Sequence, residues 1–252
     1  MERLCPAPER RGEGDKLASE QQRSSWAVDT RYPACRYQVV GGIISPVSDA
    51  YGKQGLVAAK HRVAMAKIAL RTSDWVAVDE WESRQPDWNE TVATMRYHYG
   101  RVVERYQSQV DPHGNQPVEA APSPQLKLLC GADFLDSFSV PGLWRDVDVE
   151  EVAGRFGLVC VSRGAQQPDR AVHESDLLSR HRGNVHLVRE WVRNETSATE
   201  VRRALRRGLS VKYLLPDDVI DYIQQHGLYT HHSEQRNRGA TLRPISKQGL
   251  LD

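Results

Sequence analysis

Short apolar runs alternate with helix-patterned segments along most of the chain, and this alternation limits the fold more than any other feature. The runs "YQVVGGIIS" (37–45), "WVAV" (75–78), "LKLLC" (126–130), "FGLVCV" (156–161) and "VHLV" (185–188) read as buried strands. Between them, "HRVAMAKIAL" sets Val63, Ala66 and Leu70 on one helical face. "WNETVATMRYHYGRVVERY" keeps an apolar stripe through Val92, Met95, Val102 and Val103. "DVEEVAGRF", "SATEVRRALRR" and "PDDVIDYIQQHG" are also helical in pattern, the last with Gly227 placed to stop it. Repeated strand–helix–strand over about 190 residues predicts an α/β fold with a doubly wound parallel sheet, because parallel strands need helical crossovers. Ligands in such folds lie beyond the carboxyl ends of strands, so the residues just after each apolar run matter most.

The flanks read differently. Residues 1–36 are polar and rich in Pro and Gly, lack the apolar core of a secretory signal, and carry too many acids for a mitochondrial presequence; disorder is expected over most of them. Residues 107–124, "QSQVDPHGNQPVEAAPSP", read as a flexible loop, and 231–252 as a polar tail. A net charge of +1 argues against wholesale binding to nucleic acid or anionic membrane, so anion recognition should be local. No apolar run approaches the roughly 20 residues of a bilayer span. The four cysteines, at 5, 35, 130 and 160, show no zinc spacing, and Cys130 and Cys160 sit in apolar runs as small hydrophobes. A disulfide framework is not expected, and a reducing compartment fits better. Walker A, G-x-S-x-G, H-E-x-x-H and G-x-G-x-x-G are all absent.

Four segments can carry chemistry. In "NETSATEVRRALRRG" (194–208), Ser197 and Glu200 form a capping box, which alone explains a helix start. The same turn offers free N–H groups, the Thr199 hydroxyl and Arg202 to phosphate oxygens, and both readings can hold together. In "LCGADFLDSFSVPGLW", Gly131 lets a ligand approach the backbone, while Asp133 either accepts from ribose hydroxyls or caps the helix at "FLDSF". Trp88 and Trp144 are either packing residues or the two faces of a sandwich for a flat cationic ring. In "ISPVSDAYGKQGL", Lys53 lies in a Gly-flanked loop, as a phosphate ligand or a solvated turn residue.

Taken together, these segments resemble the eukaryotic nicotinamide/nicotinic acid mononucleotide adenylyltransferases, above all the small mitochondrial type, over roughly residues 37–230 in register. The matching runs are "YQVVGGIISPVSDAYGKQGL", "HRVAMAKIALRTSDWVAVDEWES", "LKLLCGADFLDSF", "FGLVCVSR", "NETSATEVRRAL" and "SVKYLLPDDVIDYIQQHGLY". The resemblance implies a Rossmann-like nucleotidyltransferase that joins ATP to the mononucleotide, giving NAD or its deamido form and pyrophosphate. It implies that Trp88 and Trp144 flank the nicotinamide ring, with Thr91 and the backbone near Leu143 orienting it. Tyr51 and Lys53 then lie on the mononucleotide side, Gly131, Asp133 and Glu190 contact the nucleotide, and Gln54, Asn194, Ser197, Thr199 and Arg202 serve ATP. Mg²⁺ is implied as a cofactor carried by ATP rather than by a protein cage. The implied partners are these small molecules, with no nucleic acid and no membrane, and with room for a homo-oligomer. A mitochondrial location is implied, with the cytoplasm as the alternative.

One departure is visible. Family members open with a strand running into a Gly-Ser-Phe-Asn-Pro loop and a nearby histidine, whereas the phenylalanines here are Phe134, Phe138 and Phe156, none in that context. The fold is therefore expected to lack that first strand and loop, leaving no certain catalytic residue. The alternative function is a catalytically impaired module that binds nucleotides weakly or acts through protein contacts. Gln54 also stands where relatives often carry a second basic residue, and Thr196 replaces a usual aliphatic.

Overall fold

The computed structural model describes residues 37–53, 55–110, 123–162, 166–189, 192, 194 and 196–230. The expectations for 1–36 and 231–252, and for Gln54 and Glu190, lie outside these residues.

Each apolar run forms a strand: β1 (Gly42–Ile44), β2 (Val76–Val78), β3 (Leu128–Gly131), β4 (Leu158–Ser162) and β5 (Val185–Arg189). All pairings are parallel, as the alternation predicts, but the strands divide into two sheets, β1–β2 and β3–β4–β5, rather than one. Each half has its own apolar cluster. One gathers Leu135, Leu158, Cys160, Leu178 and Phe156 around β3 and β4; the other gathers Val219, Ile223 and Tyr229 with Met65 and Ile68. Within the described residues β1 and β3 each keep an unpaired edge, and Leu129 on β3 is 69% exposed.

The helices fill the crossovers. α1 (Ala59–Ala69) joins β1 to β2, and α2 (Thr91–Val110) leads towards β3. α3 (Ala132–Ser137) and α4 (Asp146–Glu150) follow β3, with a π-helical turn, Glu151–Phe156, continuing α4 to β4. α5 (Pro168–Glu174) and α6 (Asp176–Arg180) join β4 to β5, and α7 (Ala198–Arg206) and α8 (Asp217–Gln225) follow. α2 runs through Val110, so the first four residues assigned by sequence to the 107–124 loop are helical, and 111–122 lie outside the described residues. On α2, Val92 and Met95 are buried as expected. On α1, Val63 is buried as expected, while Met65 and Ile68, outside the expected face, pack against the α8 cluster because α8 returns across that flank. Gly227, at φ +58°, ends α8 in the left-handed conformation that Gly adopts without Cβ strain. Among the described residues no helix is long and apolar enough to cross a membrane.

Candidate functional site

The candidate residues hang from the carboxyl ends of the strands. After β1 comes a loop whose short 3₁₀ turn, Asp49–Tyr51, presents Tyr51, with Lys53 two residues on. Arg62 of α1 holds this loop: its Nε donates to Val57 O at 2.9 Å, Nη1 to Val47 O at 2.8 Å, and Nη2 to Asp49 Oδ1 at 2.9 Å. Burial and the nearby Glu82 carboxylate push the Tyr51 phenol above its ordinary pKa. Glu82 carried no signal in the sequence, yet it is only 7% exposed and accepts a hydrogen bond from Ser45 Oγ at 2.6 Å, just beyond β1. Burial raises its carboxyl pKa, and the Ser45 bond partly offsets this.

Trp88 and Thr91 stand where α2 begins, beyond β2. The Trp88 side chain is exposed, 41%, and makes no ring contact with another described residue. Trp144 is different. Its ring meets Phe134 and Phe138 edge-on, with centroids 5.3 and 4.9 Å away, and its Nε1 donates to Ser137 Oγ at 3.1 Å. These contacts bear out the packing reading of Trp144 and fix the orientation of its ring. An ion pair ties the two tryptophan segments together: Arg145 Nη2 reaches Glu90 Oε2 at 2.5 Å, while Arg145 Nε bonds Asp148 Oδ2 at 2.7 Å. Glu90 and Arg145 each neighbour a candidate residue, but only the fold pairs them.

Gly131 ends β3 in extended conformation and is itself the N-cap of α3. Asp133 is thus the second residue of that helix and exposed, which corrects its reading as an N-cap: the strand passes straight into the helix two residues earlier than a capping Asp would allow. Leu143 and Trp144 are half-buried in the turn before α4. Beyond β5, Asn194 Oδ1 accepts from Thr196 N at 3.0 Å. Ser197 caps α7, its Oγ accepting from Glu200 N at 3.2 Å. One turn on, Arg202 is buried, 8% exposed, and its Nη2 donates to Thr199 Oγ1 at 3.4 Å. The cap is real, and the Thr199–Arg202 pair sits on the same first turns.

A family profile described as cytidylyltransferase-like matches residues 34–204. A bovine protein, nicotinamide/nicotinic acid mononucleotide adenylyltransferase 1, is 43% identical over 84% of this chain and 84% of its own length. The chain belongs to this adenylyltransferase family. The Arabidopsis thaliana nicotinamide/nicotinic acid mononucleotide adenylyltransferase is 38% identical over 77% of each chain. The nicotinamide-nucleotide adenylyltransferase of Drosophila melanogaster is 40% identical, and this chain covers 54% of it. The candidate segments all follow the carboxyl ends of parallel strands, in two sheets. β3, β4 and β5 are parallel and end on the same side, and the Glu90–Arg145 pair brings the start of α2 to that side as well.

A buried histidine lies on the inner side of α2. His98 is 6% exposed and its Nε2 has no hydrogen-bond partner among the described residues. Burial lowers its pKa, against an opposing pull from Asp79. His61 is also lowered, mainly by burial, then by Lys60 and His226. An unfolded histidine titrates near 6.5, so on acidification the unfolded chain gains protons that the folded one resists. Stability is therefore full above about pH 6.5 and falls as the pH drops towards the lowered native values. The melting temperature of His98→Leu should decline less between about pH 7 and 5.5 than that of the parent. An identical decline in both would remove His98 as a cause.

Proposed function

We propose that this chain transfers the adenylyl group of ATP to nicotinamide or nicotinic acid mononucleotide, forming NAD or its deamido form and releasing pyrophosphate. Family membership supports the reading. The observation that carries it is that the two tryptophan segments, tied by Glu90–Arg145, and the Ser-x-Thr-x-x-Arg turn of α7 all follow the carboxyl ends of parallel strands. Trp88 and Trp144 take the pyridine ring between them, its positive charge facing the negative π-faces of the indoles. Thr91 and the backbone at Leu143 orient the ring. Tyr51 and Lys53 close the mononucleotide side, and Gly131 and Asp133 meet the nucleotide sugar.

The mononucleotide phosphate attacks the α-phosphorus of ATP in line, and pyrophosphate departs from the opposite face. No protein nucleophile takes part. The chain contributes position and charge: Arg202, held by Thr199, and the free N–H groups at the start of α7 face the triphosphate. Among the described residues no three His, Cys, Asp or Glu side chains cluster as a metal cage. Mg²⁺ carried on the phosphate oxygens of ATP would neutralise their charge there.

The deciding experiment is a coupled NAD assay with purified 1–252, ATP and each mononucleotide. Product that requires both substrates is expected; none above an enzyme-free control would reject the reading. Trp88→Ala should weaken mononucleotide binding about 30-fold while sparing ATP, the size of a desolvated cation–π contact of about 2 kcal/mol. Unchanged mononucleotide affinity by calorimetry would take Trp88 out of the site.

A further inference from the structure

Cys130 and Cys160 are separated by thirty residues in sequence but face each other across adjacent strands. β3 and β4 pair in the register Cys130↔Cys160, so both side chains lie on the same sheet face. Neighbouring strands run about 4.8 Å apart, inside the Cα separation a disulfide accepts. Both residues are free thiols; Cys160 is fully buried in the main apolar cluster, and Cys130 packs against it while partly reaching solvent. Each thiol acts on the other, the Cys160 thiol being lowered and that of Cys130 raised by their mutual approach. The Asp133 carboxylate lies close enough to act electrostatically on both. The next residue after Cys130 is Gly131, where β3 passes into α3.

We propose that Cys130 and Cys160 form an oxidisable dithiol, which a peroxide closes to a disulfide and a small thiol reopens, with its state transmitted to Asp133. One sulfur attacks the peroxide O–O bond, becoming a sulfenic acid and releasing the other oxygen as water after protonation. The second sulfur then displaces the sulfenic oxygen, which leaves as a second water. Two thiol hydrogens and two electrons pass to the peroxide, so the step balances. Partial exposure of Cys130 gives peroxide and reductant their access. Drawing the two Cβ atoms together shortens the cross-strand contact at the last turn of β3 and shifts the backbone that carries Gly131 and Asp133. Transmission to nucleotide binding rests on the function proposed above; the dithiol itself does not.

The test uses the full chain with Cys5→Ser and Cys35→Ser, reduced and then treated with hydrogen peroxide. Intact mass should fall by two hydrogens, digestion should yield a peptide linking Cys130 to Cys160, and dithiothreitol should reverse both. Adding Cys130→Ser or Cys160→Ser should abolish the mass change. ATP affinity by calorimetry should fall about tenfold on oxidation, within the usual range of coupling between linked sites. Oxygen addition to single cysteines with no linked peptide would overturn the dithiol. A linked peptide with unchanged ATP affinity would overturn the transmission to Asp133. If the reduced protein binds no ATP yet forms the linked peptide, the dithiol stands and the nucleotide reading fails.

Discussion

Gly157→Ala is expected to destabilise the protein by about 3–5 kcal/mol, among the largest effects of any single substitution. Gly157 lies between the π-helical turn and β4 at φ +91°, where an L side chain is strained. A Cβ there would stand 2.5 Å from Asn184 Oδ1 and 2.7 Å from the Asn184 carbonyl oxygen. Neither can give way easily. The Asn184 amide donates to the carbonyls of Ala153 and Gly154 at 2.9 and 3.0 Å, and its Oδ1 accepts from Lys127 Nζ. The Gly157 carbonyl also accepts from Leu128 N at 3.0 Å, so a shift would disturb the start of the β3–β4 pairing. The melting temperature should fall by about 10 °C. Gly100→Ala is the control: it lies inside α2 with no atom within 4 Å of a new Cβ, and should be neutral or gain up to about 1 kcal/mol. If both variants melt like the parent, the close approach at Asn184 is not what fixes that corner.

Arg202→Ala is expected to cut turnover in the proposed reaction by about 10²–10³-fold, the usual loss when a donor to developing charge is removed. The guanidinium is buried on the first turns of α7 and steadied by Thr199, so its position is set before substrate arrives. Mononucleotide KM should change far less than kcat, because the residues proposed to hold the mononucleotide follow β1, β2 and β3, whereas Arg202 follows β5. Arg202→Lys keeps the charge but not the planar fork and should recover only part of the rate. A thermal melt of each variant separates lost chemistry from lost folding. Parental kcat in a folded Arg202→Ala protein would exclude the residue from charge stabilisation.

The legible part of the site consisted of residues whose signal is local. Ser197 announced its cap through the spacing to Glu200, and the structure holds that hydrogen bond. Gly131 was readable because a glycine ending an apolar run is where a backbone turns. Asp133 was half legible, since its place after a strand was clear but the exact start of α3 depended on how early the chain could bend. Trp144 looked like either packing or a ligand wall, and the two phenylalanines against its ring account for the packing. Glu82 gave no sign at all. A buried carboxylate depends on a serine 37 residues earlier, and no window of sequence displays that distance.

The amino-acid order by itself determined the strands, the principal helices, the cap on α7, the stop on α8 and the family. Each of these rests on short-range chemistry: periodicity, capping and turn preference act within a few residues, and a family pattern is a string of such segments in order. Only the tertiary structure decided that the strands split into two sheets, that Glu90 meets Arg145 across 55 residues, that Gly157 sits against Asn184, and that Cys130 faces Cys160. Those facts depend on which surfaces exclude water together and which backbone groups then find partners. That is settled by the packing of distant segments, and it leaves no trace in the local pattern.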